Sequence, residues 1–467
     1  METFVPLPVF ETPFQPAIFA RTAVIGLLVP IAAVLWPVYR ALRVAPVEAI
    51  RTGHLAARGA GFASLAGRLP LPGGAIARMP LRNLLRAPRR MLLTLLALTA
   101  VLAVLFTLVA MLDSFVAAIE DGENELLGDA PDRLTVELNG FYPIDAPEAA
   151  AVLTSSLLSD AAPEIRLGAT VEPSLHQGGR DEQDGATVPI LLQFIDFESP
   201  LWRPSAVEGA LTTDRPGVVL AGKAAQDLGV APGDRVSLRL PVRTGPGAFA
   251  FESTDVELLA VHPHTFRLFA YADIRHAGLA GLDGYTNVIS GAPAQGQPLS
   301  SVKRELFTAP GVGAVRGVAE ASQATHEAFS QFTGVFLVMQ AFVLGLALLM
   351  AFNTANINAD ERSRDHATMF AFGVPVRTVL RVLVTEGLIL GALAAVLGVA
   401  GGYGMALWVL RVLLPQTTPD LWVPVAMEIP SLAFTMVAAV VVIALAPLLT
   451  VRKLRSMNVP ATLRVLE

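Results

Sequence analysis

The sequence predicts an α-helical integral membrane protein of about five spans, with a large extracytoplasmic α+β domain. Three observations carry that prediction. The 467 residues are 53% hydrophobic and only 16% charged, with a mean hydropathy of +0.55, too apolar for a soluble chain of this size. The excess is concentrated in five stretches, 18–39, 91–112, 332–353, 383–412 and 431–451, each long enough to cross a hydrocarbon core of roughly 30 Å. Between the second and third lies a polar segment, 113–331, with strand and turn patterning of its own.

The charges orient these elements. Residues 1–17 carry only Glu2 and Glu11, whereas Arg40 and Arg43 follow the first apolar run, the reverse of a signal peptide. Residues 1–17 are therefore expected outside. The 40–90 linker holds ten Arg against one acid, Glu48, and the 452–467 tail is also basic. Residues 113–330 hold thirty acids against fourteen basic residues. Basic short loops stay inside, so 40–90, 354–382 and 452–467 are assigned to the cytoplasmic face, and 113–331 and 413–430 to the outside. With no cysteine in the chain, disulfides, thiolate metal sites and cysteine nucleophiles are excluded.

Within 40–90, RTGHLAARGAGFASLAGRLPLPGGA is a linker without apolar period, and LRNLLRAPRR (81–90) follows it as a basic helix. Leu81, Leu84 and Leu85 share one face with Arg82, Arg86, Arg89 and Arg90 around them, a pattern that fits either a helix on an anionic leaflet or a plain basic flank. The external segment alternates strand-like runs (RLTVEL, TVPILLQFI, GVVLA, RVSLRL, VELLAVH) with the turn APGD and the short helix AAQDLG. Residues 140–190 give no clear assignment. In the fourth span Gly387, Gly391, Ala395, Gly398 and Gly402 recur every three or four residues, a helix-packing stripe where another backbone can come close. LRVAPVEAIR (42–51) and LRSMNVPATLR (454–464) echo one another, each just after an apolar span, and suggest a duplicated unit whose first copy is almost wholly missing.

Catalytic motifs are scarce. GVVLAGKA (217–224) approaches a phosphate-binding loop through Gly217, Gly222 and Lys223, but Ala224 stands where Mg²⁺ needs a hydroxyl and the segment is external. His262 and His264 flank Pro263 without a third ligand nearby and read as a surface loop, so no metal site is expected. No catalytic residue is expected. The informative segment is NTANINADERSRDHATMFAFGVPVRTVLRVLVTEG (353–387). Its charge cluster, Asp360, Glu361, Arg362, Arg364 and Asp365, is followed by Met369, Phe370 and Phe372, then by Gly373 and Pro375. An amphipathic helix over 358–373, parallel to the membrane and ending at Gly373, is the simplest reading, its Met and Phe docking on something.

This loop resembles the signature of the FtsX-like (MacB-type) ABC permease family, in which ER-x-R-E-I-G and A-L-G-A-S precede a span that begins with Glu. Glu361, Arg362, Arg364, Asp365, Ala371, Phe372, Gly373 and Glu386 fall in register, with Asp365, His366 and Phe372 departing from the family's Glu, Ile and Leu. LRNLLRAPRRMLLTLL resembles the family's basic pre-span segment, GVVLAGKAAQDLGVAPGDRVSL a stretch of its external domain, and the two Leu-Arg tails its cytoplasmic exits. The resemblance covers about 80–467 as one unit, with 1–53 resembling the last span of a preceding one. It implies a transport subunit of the bacterial cytoplasmic (inner) membrane that is not itself an enzyme. It would bind no cofactor, ATP being held by a cytoplasmic ATP-binding partner docked on the Asp360–Gly373 loop and Glu386. The implied cargo is a lipid, lipoprotein or peptide. Implied partners include membrane lipid, a second permease subunit or copy of the chain, and an extracytoplasmic protein, but no nucleic acid. The alternative is a non-transporting scaffold that activates an extracytoplasmic cell-wall hydrolase. A membrane-embedded enzyme would need charge in mid-span, and no span but the fourth, with Glu386 near its edge, carries an acid.

Overall fold

The computed structural model describes residues 16–42, 75–86, 88–128, 130–174 and 187–460. Most of 1–17, the linker before residue 75, LRVAPVEAIR after Leu42 and the last seven residues of the tail lie outside the described residues. Two compact units divide the chain, Met1–Pro70 with Leu85–Pro88, and Leu71–Leu84 with Arg89–Glu467. The first contributes α1 (Pro16–Leu42), apolar over most of its 27 residues. Next in the chain come α2 (Ala75–Arg86) and α3 (Pro88–Leu127), a helix of 40 residues.

The external domain runs through β1 (Leu134–Pro143), α4 (Pro147–Leu153), β2 (Leu158–Pro173), β3 (Val188–Ile195), β4 (Glu208–Gly209), β5 (Gly217–Ala221), α5 (Gly222–Leu228), β6 (Arg235–Gly245), β7 (Ala248–His262), β8 (Phe269–Asp273), β9 (Tyr285–Pro293), α6 (Leu299–Leu306) and β10 (Val312–Gly317). The strands pair in the order β10-β1-β9-β2-β3-β8-β5-β7-β4, with β6 joining β2 to β7. Three cores lie along this path, one of them small and built on Ile195, Val219, Leu259 and Tyr271. A second packs α4 and α6 on β1 and β9 through Leu134, Val136, Val152, Ile289, Val302 and Leu306. The third fills the space between β2, β3, β5, β6, β7 and β8 with Ile165, Leu192, Phe194, Leu220, Leu238 and Leu258. The 16-residue β2 serves both, pairing with β9 in its first half and with β3 and β6 in its second.

The five strand-like runs and the AAQDLG helix stand where the sequence suggests them. Gly229, at φ +66°, closes α5 in the left-handed conformation that glycine adopts at least cost. The unassigned 140–190 region holds the end of β1, α4, β2 and the start of β3.

After β10 the chain returns as α7 (Val318–Glu361), 44 residues long, then turns through α8 (Ser363–Ala371) into α9 (Val376–Trp408). α9 passes through a π turn, Val409–Leu413, and a last turn, Leu414–Thr417. α10 (Ile429–Leu445), a 3₁₀ stretch at Ala446–Thr450 and α11 (Val451–Arg455) complete the described chain. Among the described residues five helices are long and apolar enough to cross a membrane, one each within α1, α3 and α7, one from Val376 to Thr417 and one from Ile429 to Arg455. Both α3 and α7 run well beyond the apolar stretches expected to span, so the external domain is joined to the bundle by helix and not by loop. In the bundle Leu98, Leu102 and Phe106 of α3 meet Ala347 and Ala351 of α7, Ala394 and Ala395 of α9, and Ala439 and Ile443 of α10. Small residues on three of the four helices let the backbones approach, the usual solution where lipid gives no hydrophobic drive to associate.

Candidate functional site

The charged loop singled out in the sequence becomes a corner at the basic end of the bundle. Asp360 and Glu361 are the last residues of α7, Arg362 is the junction, and a separate helix, α8, starts at Ser363. The single helix expected over 358–373 is therefore two helices meeting at Arg362. Gly373, at φ +82°, ends α8 with its N–H on Phe370 O at 3.0 Å, while Val374 N–H reaches Met369 O at 3.0 Å. That paired bonding satisfies two end carbonyls and turns the chain into α9.

The inner side of the corner is tied down by charge. Glu386 of α9 is 4% exposed. Its Oε1 accepts from Arg362 Nη1 at 3.0 Å and from Asn83 Nδ2 of α2 at 2.6 Å. Arg362 Nη2 also reaches Asn83 O at 3.4 Å. A buried carboxylate is tolerated only when paired and hydrogen-bonded, and these contacts supply both. Two outer pairs continue the network: Arg90 of α3 with Glu361, and Lys453 of α11 with Asp360 at 2.7 Å and Asn356 at 2.8 Å. Five helices thus meet at one network, α2, α3, α7, α9 and α11.

Of the residues expected to dock a partner, several are occupied within the chain. Met369 and Phe370, expected on a docking face, pack instead against Ala359, Val379, Leu383 and Leu454, because α8 folds its apolar face back onto α7, α9 and α11. Arg362 and Glu386 satisfy each other. His366 is buried beside them, and burial together with the Arg362 charge holds its imidazole below its ordinary pKa, so it is neutral at pH 7. What remains outward is a ridge of Arg364, Asp365, Thr368, Ala371, Phe372 and Gly373. Phe372 is 84% exposed.

The small-residue stripe of α9 meets two helices and not one. A Cβ on Gly387 would lie 3.1 Å from Ile443 O, and one on Gly391 3.3 Å from Ile443 Cβ, so this half faces α10. A Cβ on Gly398 would come within 2.8 Å of Leu102 Cβ, and one on Gly402 within 2.6 Å of Phe106 Cβ, so the other half faces α3. Ala395, fully buried, lies between them.

Sequence reasoning missed Asn83, Arg90 and Lys453. A lone asparagine among the leucines of α2 was the only local hint, and its acceptor lies 303 residues away. The two histidines were misplaced: His262 and His264 are 0% and 3% exposed, not on a surface loop, because the 262–269 turn is covered by α3 and the segment before α10. Lys223 is held by Asp227, which also pairs with Arg267 at 3.0 Å. Among the described residues no three His, Asp or Glu side chains converge as a metal would require.

The FtsX-like permease C-terminal family model matches residues 337–459, from the middle of α7 to the end of α11, with the corner inside it. Over those residues the chain is similar to that family. The chain is also similar to the periplasmic region of MacB from Actinobacillus actinomycetemcomitans, at 13% identity over 43% of this chain and 97% of that one, TM-score 0.28. A second likeness is to the extracellular domain of the noncanonic ABC-type transporter YknZ from Gram-positive bacteria, at 13% identity over 41% and 95% of the two chains, TM-score 0.25. No curated protein matches the chain.

Proposed function

We propose that this FtsX-like chain is the permease subunit of an ATP-driven ABC transporter of the bacterial inner membrane, and that the α8 ridge receives a cytoplasmic ATP-binding subunit. One observation carries the reading: a helix with an exposed aromatic residue and exposed charges on its outer side is locked on its inner side to the two helices that lead to the external domain. Force on α8 passes through Arg362 and Glu361 to α7 directly, and through Asn83 and Arg90 to α2 and α3. The external domain, joined to both long helices, then moves on its substrate, of the lipid, lipoprotein or peptide class. Conversion of nucleotide closure into motion is mechanical, and ATP chemistry resides in the partner.

Co-purification of the ATP-binding subunit with tagged variants tests this. Phe372→Ala and Arg364→Glu remove outward groups. An aromatic at the centre of such a contact is worth about 2 kcal/mol, roughly 30-fold in affinity. Both variants should lose the ATPase without a change in melting temperature, whereas Phe370→Ala should lower the melting temperature. Full ATPase retention by both outward variants would place the contact elsewhere.

A further inference from the structure

A second site lies at the outer end of the bundle, where the extension of α3, the turn between β7 and β8, and the segment before α10 line a partly open cavity of about 210 Å³. Its walls are mostly apolar, Phe115, Ile119 and Leu126 of α3, Phe266 and Phe269 of the turn, and Leu421, with one carboxylate among them, Glu123 of α3, which disfavours an anionic ligand. Hydrogen bonds fix the three walls to one another: Thr265 Oγ1 donates to Ala118 O at 2.6 Å, Trp422 N to Thr265 O at 2.8 Å, and Arg267 Nε to Asp420 Oδ1 at 2.6 Å. Apolar cavities of ~150 Å³ already stay dry and admit a benzene-sized molecule.

One polar group in this wall is unused. His264 lines the cavity and is 3% exposed. Its Nδ1 accepts from Phe266 N at 3.1 Å, which leaves the proton of the neutral ring on Nε2, and Nε2 has no partner. Neighbouring His262 shows the satisfied arrangement, its Nδ1 accepting from His264 N at 3.3 Å and its Nε2 donating to Phe269 O at 3.0 Å. A buried donor without an acceptor is costly, and each such group calls for an explanation.

We propose that the cavity binds the apolar chain of a neutral amphiphile whose ester or amide carbonyl accepts the hydrogen bond of His264 Nε2. A neutral imidazole offers a hydrogen bond and no charge, so an ester is preferred to an alkane of equal length. The site is separate from the coupling corner, and its occupancy requires neither ATP nor the ATP-binding subunit.

The test uses the purified full chain in an alkyl-maltoside detergent, without nucleotide, and a diazirine-bearing monoacylglycerol as probe. Photolabelling is expected on peptides holding 115–126 or 264–269. Unlabelled monoacylglycerol should compete about tenfold better than the alkane of the same length, the worth of one good hydrogen bond. His264→Leu should erase that preference, His264→Gln, which keeps a donor, should retain it, and Ile119→Trp should abolish labelling by filling the space. Because Ile119→Trp leaves His264 intact, it tests the site even where His264→Leu folds poorly. Competition by diacylphosphatidylethanolamine, which has no net charge, as strong as by the monoacylglycerol identifies bilayer lipid as the source; competition by the monoacylglycerol alone identifies a free single-chain amphiphile. Labelling that survives Ile119→Trp, or an ester preference that survives His264→Leu, overturns the proposal.

Discussion

Arg362 Nη1 donates to both carboxylate oxygens of Glu386, at 3.0 and 3.4 Å, across the corner between α7 and α9. The two residues are only 24 apart in sequence, yet the bond closes a loop whose backbone turns twice between them. Removing the carboxylate leaves the partly buried Arg362 guanidinium without its charge partner and leaves a gap where Glu386 was enclosed. Glu386→Ala is therefore expected to cost about 3 kcal/mol or more, read as a lower melting temperature in detergent. Glu386→Gln, which still accepts from Asn83, should fall between the two. A melting temperature unchanged in Glu386→Ala would mean that the pair holds nothing together.

The approach of α9 to α3 sets a second expectation. An alanine Cβ at Gly402 would stand 2.6 Å from Phe106 Cβ and 2.8 Å from Ala103 O, whereas at Gly404 it would meet nothing within 4 Å. Gly402→Ala must push the helices apart, at about 1–3 kcal/mol. Gly404→Ala should be neutral or slightly stabilising, since alanine is the better helix former. Paired melts of the two variants check this, and equal effects would refute the close contact.

Acid should loosen the external domain at neutral-side pH values unusual for carboxylate-driven unfolding. Burial lowers the pKa of His262 to about 3 and of His264 to about 4, from 6.5. The unfolded chain therefore binds protons that the folded one refuses, and stability present above pH ~6.5 is lost as pH falls toward the folded values. At pH ~5 the loss is roughly 2 kcal/mol for each histidine. Unfolding followed from pH 8 to 5 should show this slope, and His264→Gln should reduce it by about half, His262 supplying the rest.

Sidedness is open to a direct check because the chain has no cysteine. Arg215→Cys, at an exposed position of the external domain, should react with an impermeant maleimide in intact cells. Arg364→Cys, on the α8 ridge, should react only after the membrane is opened. Labelling of Arg364→Cys from outside would reverse the orientation and remove the docking surface from the side where ATP is found.

The apolar spans and the strongest strands were legible because each is a local pattern: a long run for lipid, and β-branched residues flanked by turns for β5, β6 and β7. β2 was not, because Ile165, Leu167, Ala169 and Val171 do alternate inward, but alanine, glycine, proline and acids dilute the signal. At the corner the sequence showed which residues were unusual and not which way they face. Met369 and Phe372 look alike on paper, and only the fold-back of α8 decides that one packs and the other is exposed. The burial of His264 depends on Ala118 and Leu421, remote segments that no local pattern connects.

α7 has no proline in its 44 residues, and both its ends are held: Val318 N–H bonds to Arg133 O at 2.9 Å, and Glu361 pairs with Arg90. A helix of that length measures about 66 Å and advances about 100° per residue. It is consequently a shaft with a phase as well as a length. Inserting one residue in its membrane portion would lift the domain by only ~1.5 Å but rotate it by about 100° against the corner. Inserting seven would lengthen the shaft by about 10 Å and bring the two ends back to within about 20° of their facing. Rotational register, more than distance, is what the continuity of this helix preserves between the charged corner and the domain outside.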